Sequence, residues 1–162
     1  MSAGKEALVG KEMPNIVRYF NLKKGDGGDI ELEMEKLEDP VFSAAEKEVI
    51  GRFFGFVERR IVEIRKEHPE YLEFLDFEEI FGKLKEHYSE KIREFTGCPE
   101  AKNYFQDALS CFGADGRIHK VLGDAFIGIR SLLTNGVAPD DLKAEHVMYS
   151  ENEDAYKLID II

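Results

Sequence analysis

SAAEKEVIGRFFGFVERRIVEIRK, Ser43–Lys66, is the stretch whose reading decides the fold class. Ser43 and Glu46 stand at the spacing of a capping box, in which each side chain satisfies the other residue's backbone amide. Behind them Ile50, Phe53, Phe54, Val57, Ile61 and Ile64 recur at helical spacing and make one broad apolar stripe. Arg52, Glu58, Arg59, Glu63 and Lys66 fall mostly off it, and Arg65 and Lys66 suit the negative end of the helix dipole. Gly51 and Gly55 carry no side chain, so the spacing predicts close approach of another backbone or a flat ligand there.

Working outward, His68-Pro69 breaks the helix, because the residue before proline avoids the α region. Glu70 to Leu75 reads as a short helical turn. Asp76 and Glu79 open a helix over 77–96, with Phe77, Ile80, Phe81, Leu84, Tyr88, Ile92 and Phe95 on its stripe. Pro99 starts the next helix and Gly113 ends it. Arg117 to Thr134 carries Ile118, Val121, Leu122, Ala125, Ile129 and Leu133 on one face. Residues 139–149 read as a weaker helix, and Ser150 with Glu153 as the cap of a last one ending in Leu158, Ile159 and Ile162.

Upstream, Pro14 to Phe20 reads as a helical turn and KKGDGGD, 23–29, as a glycine-rich linker. Ile30, Leu32 and Met34 alternate as in a strand, yet the glutamates and Leu37 favour a short helix, and a lone strand lacks a partner. The expected fold is all-α: one globular domain over 1–162, with about six to eight helices and a loosely ordered segment over 1–29.

A formal net charge of −11 argues against nucleic acid and anionic membranes, both of which require a basic face. The apolar runs are short of the roughly 20 residues a membrane helix needs, and the first residues lack a signal peptide's apolar core, so a cytoplasmic protein is expected. No Glu-x-x-His pair, HExxH, CxxC, GxSxG, GxxxxGK or GxGxxG occurs, and no enzymatic activity is expected. A helix between Cys98 and Cys111 would hold them about 20 Å apart, too far for a disulfide. Cys98 precedes Pro99 at an N-cap position, where a thiol's pKa falls, which allows a redox reading beside that of an ordinary reduced cysteine.

His87 and His119 lie on separate helices at the margins of apolar faces, beside many phenylalanines. Such surroundings could sandwich a flat apolar cofactor, and haem iron is commonly held by one proximal histidine. HPEYLEFL at His68–Leu75, EFTG at Glu94–Gly97 and DGRIHKVLG at Asp115–Gly123 occur in the order seen in one family. Over about residues 43–123 the chain resembles the sensor globins and protoglobins.

The resemblance implies a haem pocket, with His119 as proximal iron ligand and His87 on the distal side. Phe54, Phe81, Leu84, Leu122 and Phe126 complete the implied lining, and Gly51, Gly55 and Gly82 would serve a close helix crossing. The family's distal tyrosine is replaced at about Val62, and its Pro-x-Trp-Tyr stretch is missing. Two main readings stay open. One is a haem-binding, globin-like sensor of a diatomic gas; the other is a cofactor-free helical interaction or regulatory protein. Either would act through a protein partner or a homodimer.

Overall fold

The computed structural model describes residues 8–28, 30–70, 72–113 and 116–161. Along the chain come β1 (Tyr19–Lys24), β2 (Ile30–Met34) and α1 (Ala44–Glu67). A 3-10 turn (Leu72–Phe74), α2 (Phe77–Glu94), α3 (Pro99–Ser110) and α4 (Arg117–Thr134) follow. A second 3-10 turn (Ala144–His146) leads into β3 (Val147–Ser150) and β4 (Ala155–Leu158). The all-α, globin-like expectation of six to eight helices is therefore overturned: the described residues hold four α-helices and two two-stranded antiparallel sheets.

The helices form where periodicity placed them. Ser43 Oγ accepts from the Glu46 amide at 3.1 Å, and Glu46 Oε1 accepts from the Ser43 amide at 3.0 Å. The stripe of α1 is buried throughout, joined by Val49. Asp76 caps α2 by accepting from the Glu78 amide at 2.9 Å. Arg117, at the start of α4, donates to both Glu46 carboxylate oxygens and to the Pro40 carbonyl, tying α4 to the entry of α1. Burial opposes the charged form of Glu46, but the hydrogen bonds from Arg117 and Ser43 outweigh it and hold the carboxyl below its usual value.

Both ends of the described chain depart from the helical expectation. Ile30–Met34 is a strand because it has a partner: β1 pairs with it antiparallel across the glycine-rich turn, Tyr19 opposite Met34 and Lys24 opposite Ile30. The stretch 139–149 is not a helix but a 3-10 turn followed by β3. Ser150 does accept from the Glu153 amide, at 3.3 Å, as a cap would. Here that bond closes a hairpin turn, with Asp154 at φ 47°, and the chain returns as β4, Val147 opposite Leu158. Tyr71 and Ile162, which the helical reading used, and Asp115, the first residue of the DGRIHKVLG motif, lie outside the described residues, as do residues 1–7, Asp29 and Ala114.

The C-terminal hairpin is held between two N-terminal segments. On one side the Val17 amide donates to the Leu158 carbonyl (3.1 Å) and the Leu158 amide to the Asn15 carbonyl (3.0 Å), a parallel bridge. On the other, Glu38 and Tyr149 exchange two backbone hydrogen bonds of 2.8 Å. Residues 8–19, expected to be loose, thus bury Leu8, Met13, Ile16, Val17 and Tyr19 in the same core as the helices. An ion network fastens the clasp. Lys157, only 3% exposed, donates to Glu35 Oε1 at 2.7 Å and pairs with Glu153. Arg18 meets Glu153 at 3.2 Å and Glu12 at 2.7 Å, and its amide donates to Glu35.

Close backbone approach happens at Gly128, not at the glycines the α1 and α2 spacing suggested. A Cβ on Gly51, Gly55 or Gly82 would meet nothing within 4 Å. On Gly128 it would stand 2.8 Å from the Asn15 carbonyl oxygen, because the N-terminal segment crosses α4 there. Alanine in place of an unconstrained helix glycine stabilises by up to about 1 kcal/mol. Gly55→Ala is therefore expected to raise the melting temperature and Gly128→Ala to lower it. Removing one partner from a buried ion pair costs about 3 kcal/mol, whereas replacing both with apolar groups costs little. In urea unfolding, Glu35→Ala should lose about that much, and Glu35→Leu combined with Lys157→Met should recover most of it.

Candidate functional site

The residues proposed as a haem site fall into the core and onto its margin. Phe54, Leu84 and Leu122 are fully buried, and Phe81 and Phe126 nearly so. Phe77 stacks on Phe81 with centroids 5.5 Å apart and meets Phe126 edge-on at 5.5 Å. His119 is exposed on α4, its ring edge-on to Phe81 at 4.9 Å and to Phe77 at 5.7 Å. His87 belongs to a different neighbourhood, edge-on to Phe56 at 5.9 Å and to Tyr88 at 5.5 Å. Burial, then the charges of Arg52 and Lys91, hold His87 below its usual pKa.

Rings flanking a flat macrocycle must stand about 7 Å apart, one van der Waals contact on each side. Phe77, Phe81, Phe126 and His119 instead fill that space with one another. Among the described residues no group of three or more His, Cys, Asp or Glu side chains is placed to hold a metal. The haem-binding expectation is corrected together with the all-α one. Cys98 is exposed and Cys111 partly buried, both free; burial pushes the Cys111 thiol up.

What α4 offers instead is a groove. Two faces of this helix are committed: one to α1 and the aromatic cluster, the other to β4, where Asp124 accepts from the Tyr156 amide at 3.0 Å. The remaining strip is polar at Lys120, Arg130, Ser131 and Thr134, and in its midst stands Ile127, 47% exposed. Ile127 lies off the stripe of Ile118, Val121, Leu122, Ala125, Ile129 and Leu133, and that offset was legible in the sequence.

The segment after Pro69 forms the opposite wall. Just after its 3-10 turn Leu75 is buried, and Phe74, 47% exposed, lies against the His68 ring at 4.9 Å. Between this wall and α4 lie two adjoining hollows that share Glu73 and Arg130. One, about 470 Å³, is lined also by Leu75, Asp76, Phe77, Gly123, Phe126 and Ile127. The other, about 280 Å³, is lined by Glu70, Leu72, Leu133 and Thr134. From Gly123 to Thr134 the groove follows α4 for about 16 Å, three helical turns.

No helix among the described residues is long and apolar enough to cross a membrane. No family model matches the chain, nor does any curated protein or solved structure. The globin resemblance therefore rests on short sequence motifs alone.

A histidine whose pKa falls on folding stabilises less as it is forced to charge. The unfolded chain takes up the proton first, at about pH 6.5, so stability drops as pH falls from there through the depressed native value. Between pH 7.5 and 5.5 the wild-type protein should lose more stability than His87→Gln, as read from urea midpoints. An NMR titration should place the His87 pKa below 6.5.

Proposed function

We propose that this chain is a cofactor-free interaction or regulatory protein of the cytoplasm, which takes a helical segment of another protein into the groove along α4. The observation that carries the reading is Ile127, a large apolar side chain on the one strip of α4 that the fold leaves open, over an apolar-floored hollow of about 470 Å³. Exposed apolar groups that rim a groove mark contact sites more often than isolated ones do. The length of the groove matches about three turns of a ligand helix, the usual span of a helix-in-groove contact. A helix also satisfies its own backbone amides and carbonyls, which a strand could not do against walls made of a 3-10 turn and a helix face.

The test has two arms. A partner recovered from the source cells should stay bound to the wild-type protein and be released by Ile127→Glu, with the circular dichroism spectrum unchanged. Hemin added to the purified protein should give no stoichiometric, histidine-dependent Soret band. A sharp band abolished by His119→Ala would overturn the reading, and so would a partner that Ile127→Glu leaves bound.

A further inference from the structure

The charges on the groove are lopsided. Glu70, Glu73 and Asp76 stand on the wall opposite α4, and among the described residues Arg130 is the one basic residue that lines either hollow. Some exposed carboxylates elsewhere on the helices have partners: Glu48 meets Arg52, Glu63 meets Arg60 and Glu94 meets Lys91. Glu70, Glu73 and Arg130 make no ion pair among the described residues, and Asp76 spends its carboxylate on the Glu78 amide. Unpaired acids thus border an apolar floor on a chain whose net charge is −11.

From this charge pattern we infer that the occupant of the groove is a basic amphipathic helix, with apolar side chains three to four residues apart and Lys or Arg on the flank facing residues 70–76. The inference rests on the groove being a docking surface, as proposed above, and adds the chemistry of the partner. The apolar anchors meet Leu72, Ile127 and Leu133, which line the two hollows. The flanking cations find the Glu70 and Glu73 carboxylates, unpaired among the described residues, which speeds encounter and selects against acidic helices. Arg130, at the seam of the two hollows, keeps the ligand's cations on the 70–76 side.

The probe is a labelled Leu/Lys peptide of about 14 residues with helical apolar spacing, its affinity read by fluorescence anisotropy. Two controls accompany it: the same residues in scrambled order, and a Leu/Glu helix with the same apolar positions. The Leu/Lys helix should bind at least about tenfold tighter than either control and shift the methyl resonances of Leu72, Ile127 and Leu133. Glu70→Lys with Glu73→Lys should weaken it at least about tenfold, Ile127→Glu should abolish it, and added salt should weaken it.

Equal or tighter binding of the Leu/Glu helix, still abolished by Ile127→Glu, overturns the basic partner and leaves the docking groove standing. Methyl resonances that no peptide moves overturn both. Equal binding of the scrambled peptide overturns the helical register. Self-association that Ile127→Glu removes would assign the groove to a second copy of the chain and overturn the inference.

Discussion

One buried ammonium group joins the hairpin to the N-terminal segments that clasp it. Lys157 lies on β4, almost wholly removed from water, and an unpaired cation there would cost several kcal/mol. Glu153 comes from the hairpin itself, but Glu35 comes from 122 positions earlier in the chain. With Glu35 come the end of β2, the amide of Arg18 and the residues between them. A two-stranded hairpin alone in water is marginal. The β3–β4 hairpin persists because α4 covers one face and the N-terminal segments take up both of its edges.

That arrangement also explains why α4 has so little surface to spare. Its apolar residues serve α1 on one side and β4 on the other, and Gly128 is bare because Asn15 crosses there. The strip left over must face water, so each residue on it is a choice made without packing pressure. Lysine, arginine, serine and threonine are the expected choices. Ile127 is the exception, and it sits opposite the break between α1 and α2, where Pro69 forces the chain out of α1 and into a 3-10 turn.

Local signals sufficed for the helices and failed for the sheets. The capping box at Ser43, the stripe to Ile64, Asp76 and the prolines at 69 and 99 are written within a few residues of where they act, and α1, α2 and α3 begin where those signals stand. Strand pairing is not local in that sense. Ile30, Leu32 and Met34 alternate plainly, but their partner YFNLKK carries a pattern that reads equally as a helical turn. Val147–Ser150 is too short to show a period, and the Ser150–Glu153 hydrogen bond is shared by helix caps and hairpin turns. For the site, Phe77 touches the Phe81, Phe126 and His119 rings, and that packing fills the space a flat cofactor would need. Periodicity says which faces are apolar; it does not say whether those faces close on each other or on something else.

The parallel bridge between Ile16 and Leu158 sets a timetable for synthesis. Tyr156, whose carbonyl accepts from the Asn15 side chain, leaves the ribosome 141 residues after Asn15. At ordinary elongation rates that delay is on the order of ten seconds. During it the helices emerge one after another, α4 last, and no hairpin is yet present to receive the N-terminal segment. Leu8, Met13, Ile16 and Val17 spend that interval exposed, the period in which a holding chaperone would find this protein.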